Sequence, residues 1–210
     1  MTIVHDGVLL DVTAKVANTA IIGAPYRPLL NGRRYRSTGK TQIEAGCWIG
    51  ESVQVGEGAI IGANTILHGD SRVESDARLG SGVLLTYRSW VDLQARIGDD
   101  CVIGGYVCER AVVGRGCRVF GDLTHRQHNP LLGWDDDESE EESPVLEDQV
   151  FVGWEAKVIG PVVLETRAYV CAGAVVSKRV PTRHIAYGVN QMKPYDEWPG
   201  SLSKSAFFEQ

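Results

Sequence analysis

The sequence predicts an all-β solenoid, and three observations carry that prediction. From Ile43 to Ile103 every sixth residue is aliphatic: Ile43, Ile49, Val55, Ile61, Leu67, Val73, Leu79, Leu85, Val91, Ile97 and Ile103. Ile, Val and Leu make up about a quarter of the chain, so such a run has a chance probability on the order of one in a million. Four residues after each aliphatic stands a small or compact side chain: Cys47, Val53, Ala59, Thr65, Ser71, Ala77, Val83, Ser89, Ala95, Cys101 and Val107. Glycine often follows the aliphatic, as at Gly50, Gly56, Gly62, Gly80, Gly98 and Gly104. A period of six fits neither the 3.6 of a helix nor the unbroken alternation of a long strand. It fits a chain that turns every six residues, three short strands to a triangular coil of eighteen, with each coil stacked on the last.

Followed backward, the rhythm gives Val4, Leu10, Val16 and Ile22, so the prism is expected to begin almost at the N-terminus. Residues 25–42 (PYRPLLNGRRYRSTGKTQ) break it with prolines, glycines and basic residues, and are read as an excursion from a corner. The spacing from Ile103 to Val113 is ten where twelve is expected, which predicts one shortened corner around residues 109–112. A second excursion is expected at residues 125–145. The rhythm returns at Leu146, Val152, Val158, Leu164, Val170 and Val176, and Pro181 closes it. The tail 194–210, with Trp198, Phe207 and Phe208, is expected to cap the open end as a short helix or strap. One domain spanning 1–210, of about seven coils, is the natural count.

No segment approaches the roughly eighteen uninterrupted apolar residues of a membrane span. Asp6 and Asp11 in the first coil are unlike a signal peptide, so a cytoplasmic location is expected. The five cysteines include no C-x-x-C pair, and Cys47 and Cys101 read as core residues. The net charge of −6 is concentrated in the run 135–142 (DDDESEEE); without it the chain carries about +1. Such a block is either a solvated loop tip or a lid that repels anions or attracts a cationic acceptor. Residues 166–195 hold Arg167, Lys178, Arg179, Arg183 and Lys193 with no acid, so an anionic ligand is drawn to the C-terminal coils. The basic residues are not interleaved with aromatics, which argues against a nucleic-acid platform.

The segment 119–130 (VFGDLTHRQHNP) leaves the repeat with two histidines, and 172–181 (AGAVVSKRVP) ends it. In these segments and the six-residue rhythm the chain resembles the hexapeptide-repeat acyltransferases, closest to the maltose, galactoside and sugar O- and N-acetyltransferase type. The resemblance implies a left-handed parallel β-helix, an exception to right-handed crossovers. It also implies acetyl-CoA (coenzyme A) as co-substrate, no metal, a small-molecule acceptor that is a sugar, nucleotide-sugar or antibiotic-like molecule, and a homotrimer whose sites lie in the clefts between chains. By the Thr124-His125 match, His125 takes the place of the general base. His128 and Asp122 are then expected at the acceptor. Ala174, Ser177 and Lys178 are expected along the pantetheine and phosphate groove, with Arg179 and Arg183 as further phosphate partners. Trp154 is expected against the cofactor, a neighbouring subunit or the chain's own packing.

The chemistry fits those residue types. An imidazole with a pKa near 6.5 is suited to take a proton from a hydroxyl or amine as it attacks a thioester. Lys and Arg supply charge-assisted hydrogen bonds to an anionic nucleotide. Arg126, Gly160-Pro161 and Asn190 depart from the family pattern and leave the acceptor open. Two other functions use such a helix. One is a metalloenzyme of the γ-class carbonic anhydrase kind, which needs three imidazoles on one metal. The other is a non-catalytic assembly subunit. His68, His184 and His5 read as structural or solvated. Arg27, Arg33, Arg34 and Arg36 in the first excursion are candidate partners for an acceptor phosphate or carboxylate.

Overall fold

The computed structural model describes residues 1–26, 35, 37, 39–126 and 142–209, with the side chains of 203, 204 and 209 excepted. His128 and the arginines of the first excursion lie outside the described residues, as does most of the acidic run.

Strands of two to four residues stack into three parallel sheets, of nine, eight and ten strands, which form the faces of a left-handed β-helix of about nine turns. Face 1 runs from Ile3–Val4 to Val175–Val176, and face 2 from Leu9–Leu10 to Val163–Leu164. Face 3 runs from Lys15–Val16 to a terminal hairpin, His184–Tyr187 with Gln191–Pro194, whose pairing is antiparallel. The register is that of the sequence rhythm: Val55 lies beside Val73 and Val73 beside Val91, eighteen residues apart. Each aliphatic of the central ladder points into the prism and is buried, and so is its small partner. At roughly 1.5–3 kcal/mol per buried aliphatic side chain, this ladder is the main source of stability. In the first coil the same inward positions, Val4 and Leu10, are exposed because no coil lies beneath them.

Three expectations are corrected. The coils number about nine rather than seven, and two of them are sixteen residues long: Val91 pairs with Val107, and Val107 with Leu123. The chain is shortened at Gly104–Gly105 and again at Phe120–Gly121, not at 109–112. Val107 is therefore an inward aliphatic of face 1, not the small partner its position in an unbroken ladder suggested. These corners need glycine. A Cβ on Gly105 would run into the carbonyl oxygen of Gly121, and one on Gly121 into that of Ala156. The tail, expected as a short helix or strap at the open end, takes that form. It forms two 3-10 turns and the short helix Ala206–Glu209. Phe207 meets Phe151 and Tyr169 edge-on, while Phe208 is buried and stacks on Tyr195. Phe151 and Tyr169 are outward residues of face 3, so the tail is a strap across that face.

Candidate functional site

The two excursions leave the prism from the same edge. The first departs after Ile21–Ala24 of face 1 and re-enters at Gln42–Ile43 of face 2. The second departs after Asp122–Thr124 of face 1 and re-enters at Val145–Leu146 of face 2. Five strand spacings separate the two departures on face 1, roughly 24 Å at ~4.8 Å each. The uninterrupted corners between them present Glu57, Asp76, Gln94, Glu109 and Arg110.

The first excursion is tied to that edge by its hydroxyls. The Tyr35 hydroxyl donates to Asp76 Oδ2, and Ser37 Oγ donates to Asp76 Oδ1 at 2.6 Å. Gln94 Nε2 donates to the Tyr35 hydroxyl at 2.9 Å. Burial and the neighbouring Asp76 carboxylate push the Tyr35 phenol up to about 12. Gly58 makes room for this contact, because a Cβ there would collide with Ser37 Oγ and Asp76 Oδ1.

His125 stands where the second excursion begins. Its Nε2 lies 2.9 Å from the Glu109 carbonyl oxygen and 3.0 Å from Ser143 Oγ. Ser143 Oγ is itself 2.6 Å from the same carbonyl. A carbonyl only accepts, and the Ser143 proton is directed at it. Nε2 is therefore the nitrogen that donates to that carbonyl. Near this arrangement lies a partly buried polar layer. The Tyr106 hydroxyl donates to Asp92 Oδ2 at 2.7 Å, and burial raises its pKa. Burial, with Asp92 nearby, pushes the Cys108 thiol up to about 12.

The other predicted residues are spread over all three edges. Ser177, Lys178 and Arg179 follow the last strand of face 1 and share the edge of His125. Arg183 belongs to the edge between faces 2 and 3. Its Nη2 donates to the Phe208 carbonyl at 2.7 Å and its guanidinium lies 4.2 Å from the Tyr195 ring centroid, so it anchors the strap. Trp154 belongs to the edge between faces 3 and 1. It is 59 % exposed and stacks on Phe120 at 4.9 Å. Ala174 is buried at a small position of the core, so its side chain lines no groove. Arg179 pairs with Glu165, whose carboxyl is held below its usual range by the Thr182 N–H and by Arg179. Asp122 pairs with Lys157 and accepts the Tyr106 N–H at 3.1 Å. Ser177 N–H donates to Asn190 Oδ1 at 2.8 Å, which ties the final coil to the hairpin turn. Lys178 is exposed and makes no ion pair with the described residues.

Sequence reasoning missed Ser143, the Glu109 carbonyl and Tyr35. A signal was present: counting inward aliphatics in threes, with the two short corners allowed for, places both excursions on one edge. Among the described residues no group of three or more His, Cys, Asp or Glu side chains is placed to hold a metal ion. No described helix is long and apolar enough to cross a membrane.

Two family models match the chain. "Bacterial transferase hexapeptide (six repeats)" covers residues 40–75, and "Hexapeptide repeat of succinyl-transferase" covers 94–120 and 145–178. Among curated proteins, the bifunctional protein GlmU of Thermodesulfovibrio yellowstonii is 24% identical over 190 residues, covering 72% of this chain and 42% of that protein. GlmU of Heliobacterium modesticaldum is 25% identical over 212 residues, covering 83% and 46%. The chain thus spans less than half the length of these relatives. Among solved structures, a UDP-N-acetylglucosamine acyltransferase superposes with a TM-score of 0.68 at 14% identity, covering 90% of this chain and 70% of that one. The Francisella novicida UDP-N-acetylglucosamine acyltransferase gives 0.55 at 16% identity, covering 91% and 69%. At these identities the likeness is one of fold.

Proposed function

We propose that this chain, a hexapeptide-repeat protein of the left-handed β-helix class, transfers an acyl group from an acyl-CoA thioester to a hydroxyl or amino group of a sugar-type acceptor. The observation that carries the reading is the imidazole of His125, held through Nε2 against the Glu109 carbonyl where the second excursion leaves the prism. The His125 imidazole takes the acceptor proton as the acceptor attacks the thioester carbonyl, and returns it to the departing thiolate. The products are acylated acceptor and free CoA thiol, with no acyl-enzyme. Acetyl is the donor group the resemblance implies. The transferase family models and the acyltransferase fold neighbours support the same reaction class.

The donor's phosphates fit the C-terminal end of the same edge. Lys178 lies two coils beyond His125, roughly 10 Å along the axis. Among the described residues its ammonium makes no ion pair, whereas Arg179 and Arg183 are committed to Glu165 and to the strap. In a parallel trimer this edge faces the cleft between neighbouring chains.

Calorimetric titration with acetyl-CoA, alongside Lys178→Ala, tests the reading without knowledge of the acceptor. Micromolar binding near one site per chain is expected, weakened roughly tenfold in the variant by loss of a charge-assisted contact. Light scattering of the same sample is expected to give three chains. Absence of acetyl-CoA binding overturns the reading, and a single-chain mass overturns the cleft.

A further inference from the structure

Arg78 and Arg96 are outward residues of face 2 and stand in direct parallel register on consecutive coils. Their backbones are therefore roughly 4.8 Å apart. Guanidinium groups stay charged at all working pH values, and like charges side by side on paired strands repel. Neither is drawn to a carboxylate: both are exposed and take part in no ion pair with the described residues. Elsewhere the chain pairs its cations readily, as in Arg72–Glu74, Arg110–Glu109 and Arg115–Asp148. A stacked pair of arginines without a counter-charge among the described residues carries a cost that an anionic ligand removes.

The two arginines line an open groove of about 450 Å³ together with Asp76, Gln94, Arg110 and Val112. That volume lies within the range of small-molecule sites. Three of its six lining residues are arginines and one is an acid. The acid is already engaged, since Asp76 accepts the hydroxyls of Tyr35 and Ser37. Arg110 is held by Glu109 at 2.6 Å. Asp76 keeps its charge, because the hydroxyls it accepts are neutral; with Arg110 offset by Glu109, the groove is left with an excess of about one positive charge, supplied by Arg78 and Arg96, whose forked donors match phosphate oxygens. The groove also adjoins the proposed base: Arg110 lines it, and the preceding residue, Glu109, holds His125 through its carbonyl. A molecule seated with its anionic end on the arginines can extend along the edge toward His125.

We propose that this groove binds the phosphate or diphosphate of the acceptor, which makes the acceptor a phosphorylated or nucleotide-linked sugar. The ligand's role as acceptor rests on the acyl-transfer reading; the phosphate site does not. The donor's phosphates belong to the other end of the edge, because Arg96 and the last strand of face 1 are four coils apart, roughly 19 Å.

The test is calorimetric titration of the full chain with inorganic pyrophosphate and, separately, with acetyl-CoA. The proteins are wild type, the double variant Arg78→Gln/Arg96→Gln, and Arg115→Gln as a control for the loss of a surface arginine. Matched melting curves establish that all three fold. Pyrophosphate is expected to bind wild type and Arg115→Gln alike, and the double variant roughly tenfold or more weakly. Acetyl-CoA is expected to bind all three equally. Unchanged pyrophosphate binding in the double variant overturns the groove as a phosphate site. A parallel loss of acetyl-CoA and pyrophosphate binding reassigns the groove to the donor and overturns the acceptor assignment. Arginine-dependent pyrophosphate binding without any acetyl-CoA binding sinks acyl transfer and leaves the phosphate site standing. Binding of acetyl-CoA with none of pyrophosphate does the reverse.

Discussion

Along the edge between faces 3 and 1 the chain turns twice with two residues fewer than the repeat allows, at Gly104–Gly105 and at Phe120–Gly121. The side chains beside those corners are aromatic, with Phe120 stacked on Trp154. Along the edge between faces 1 and 2, corners of the same coils are full length. They carry carboxylates, an amide and Arg110, and both excursions leave from that edge. One backbone repeat supports both edges because its inward ladder alone fixes the coil. The outward and corner positions are free to vary, and they vary in opposite directions. The first edge spends that freedom on close packing, the second on polar contacts and loops.

Substitutions at the two edges should therefore fail in different ways. The largest effect is expected from His125→Ala, which removes the proposed base. Turnover is expected to fall about 10²–10⁴-fold, with little change in the denaturation midpoint, because His125 is not part of the buried ladder. Rates measured with excess acyl-CoA, beside an unfolding curve, check this; an unchanged rate would exclude His125 as the base. Gly105→Ala is expected to act the other way. Its new Cβ meets the Gly121 carbonyl, and neither backbone can move without disturbing the next coil. A loss of about 1–3 kcal/mol of stability follows, visible in a denaturant titration. If Gly105→Ala were as stable as wild type, the steric account of the short corners would be wrong.

The contrast also explains what the sequence could reveal. The coil was legible from the inward ladder, since burial at Ile43, Ile49 and Val55 is dictated by a period that no other structure shares. The short corners were misplaced because Val107 is as acceptable at a small position as at an inward one; only its pairing with Val91 and Leu123 decides between them. His125 was legible as the residue at which the rhythm stops. Its partners were not, because one is a backbone carbonyl, which any residue supplies. The other, Ser143, comes from the far end of the excursion. The proposed cofactor residues show the opposite error. Composition grouped Lys178, Arg179 and Arg183 as one basic cluster, but Arg183 lies one corner further on, at a different edge, and of the three only Lys178 makes no ion pair or hydrogen bond among the described residues.

The smallest expected effect belongs to Tyr35 and probes whether the first excursion is docked on the polar edge in solution. Its folded-state pKa is raised from 10.0 to about 12, first by burial and then by Asp76. Between those values the unfolded chain gives up the phenolic proton while the folded chain retains it. The contribution is therefore complete below pH 10 and fades as pH rises toward 12. At pH 8 Tyr35→Phe is expected to cost about 1 kcal/mol, the worth of a lost hydrogen bond. The difference between wild type and variant should shrink between pH 10 and 12. Tyr106 lies in the same coil region and its pKa is also raised, but it is present in both proteins and cancels in that difference. A difference that stayed constant across this window would mean that Tyr35 does not donate to Asp76. Ser37 alone would then tie the first excursion to the edge on which the groove and His125 lie.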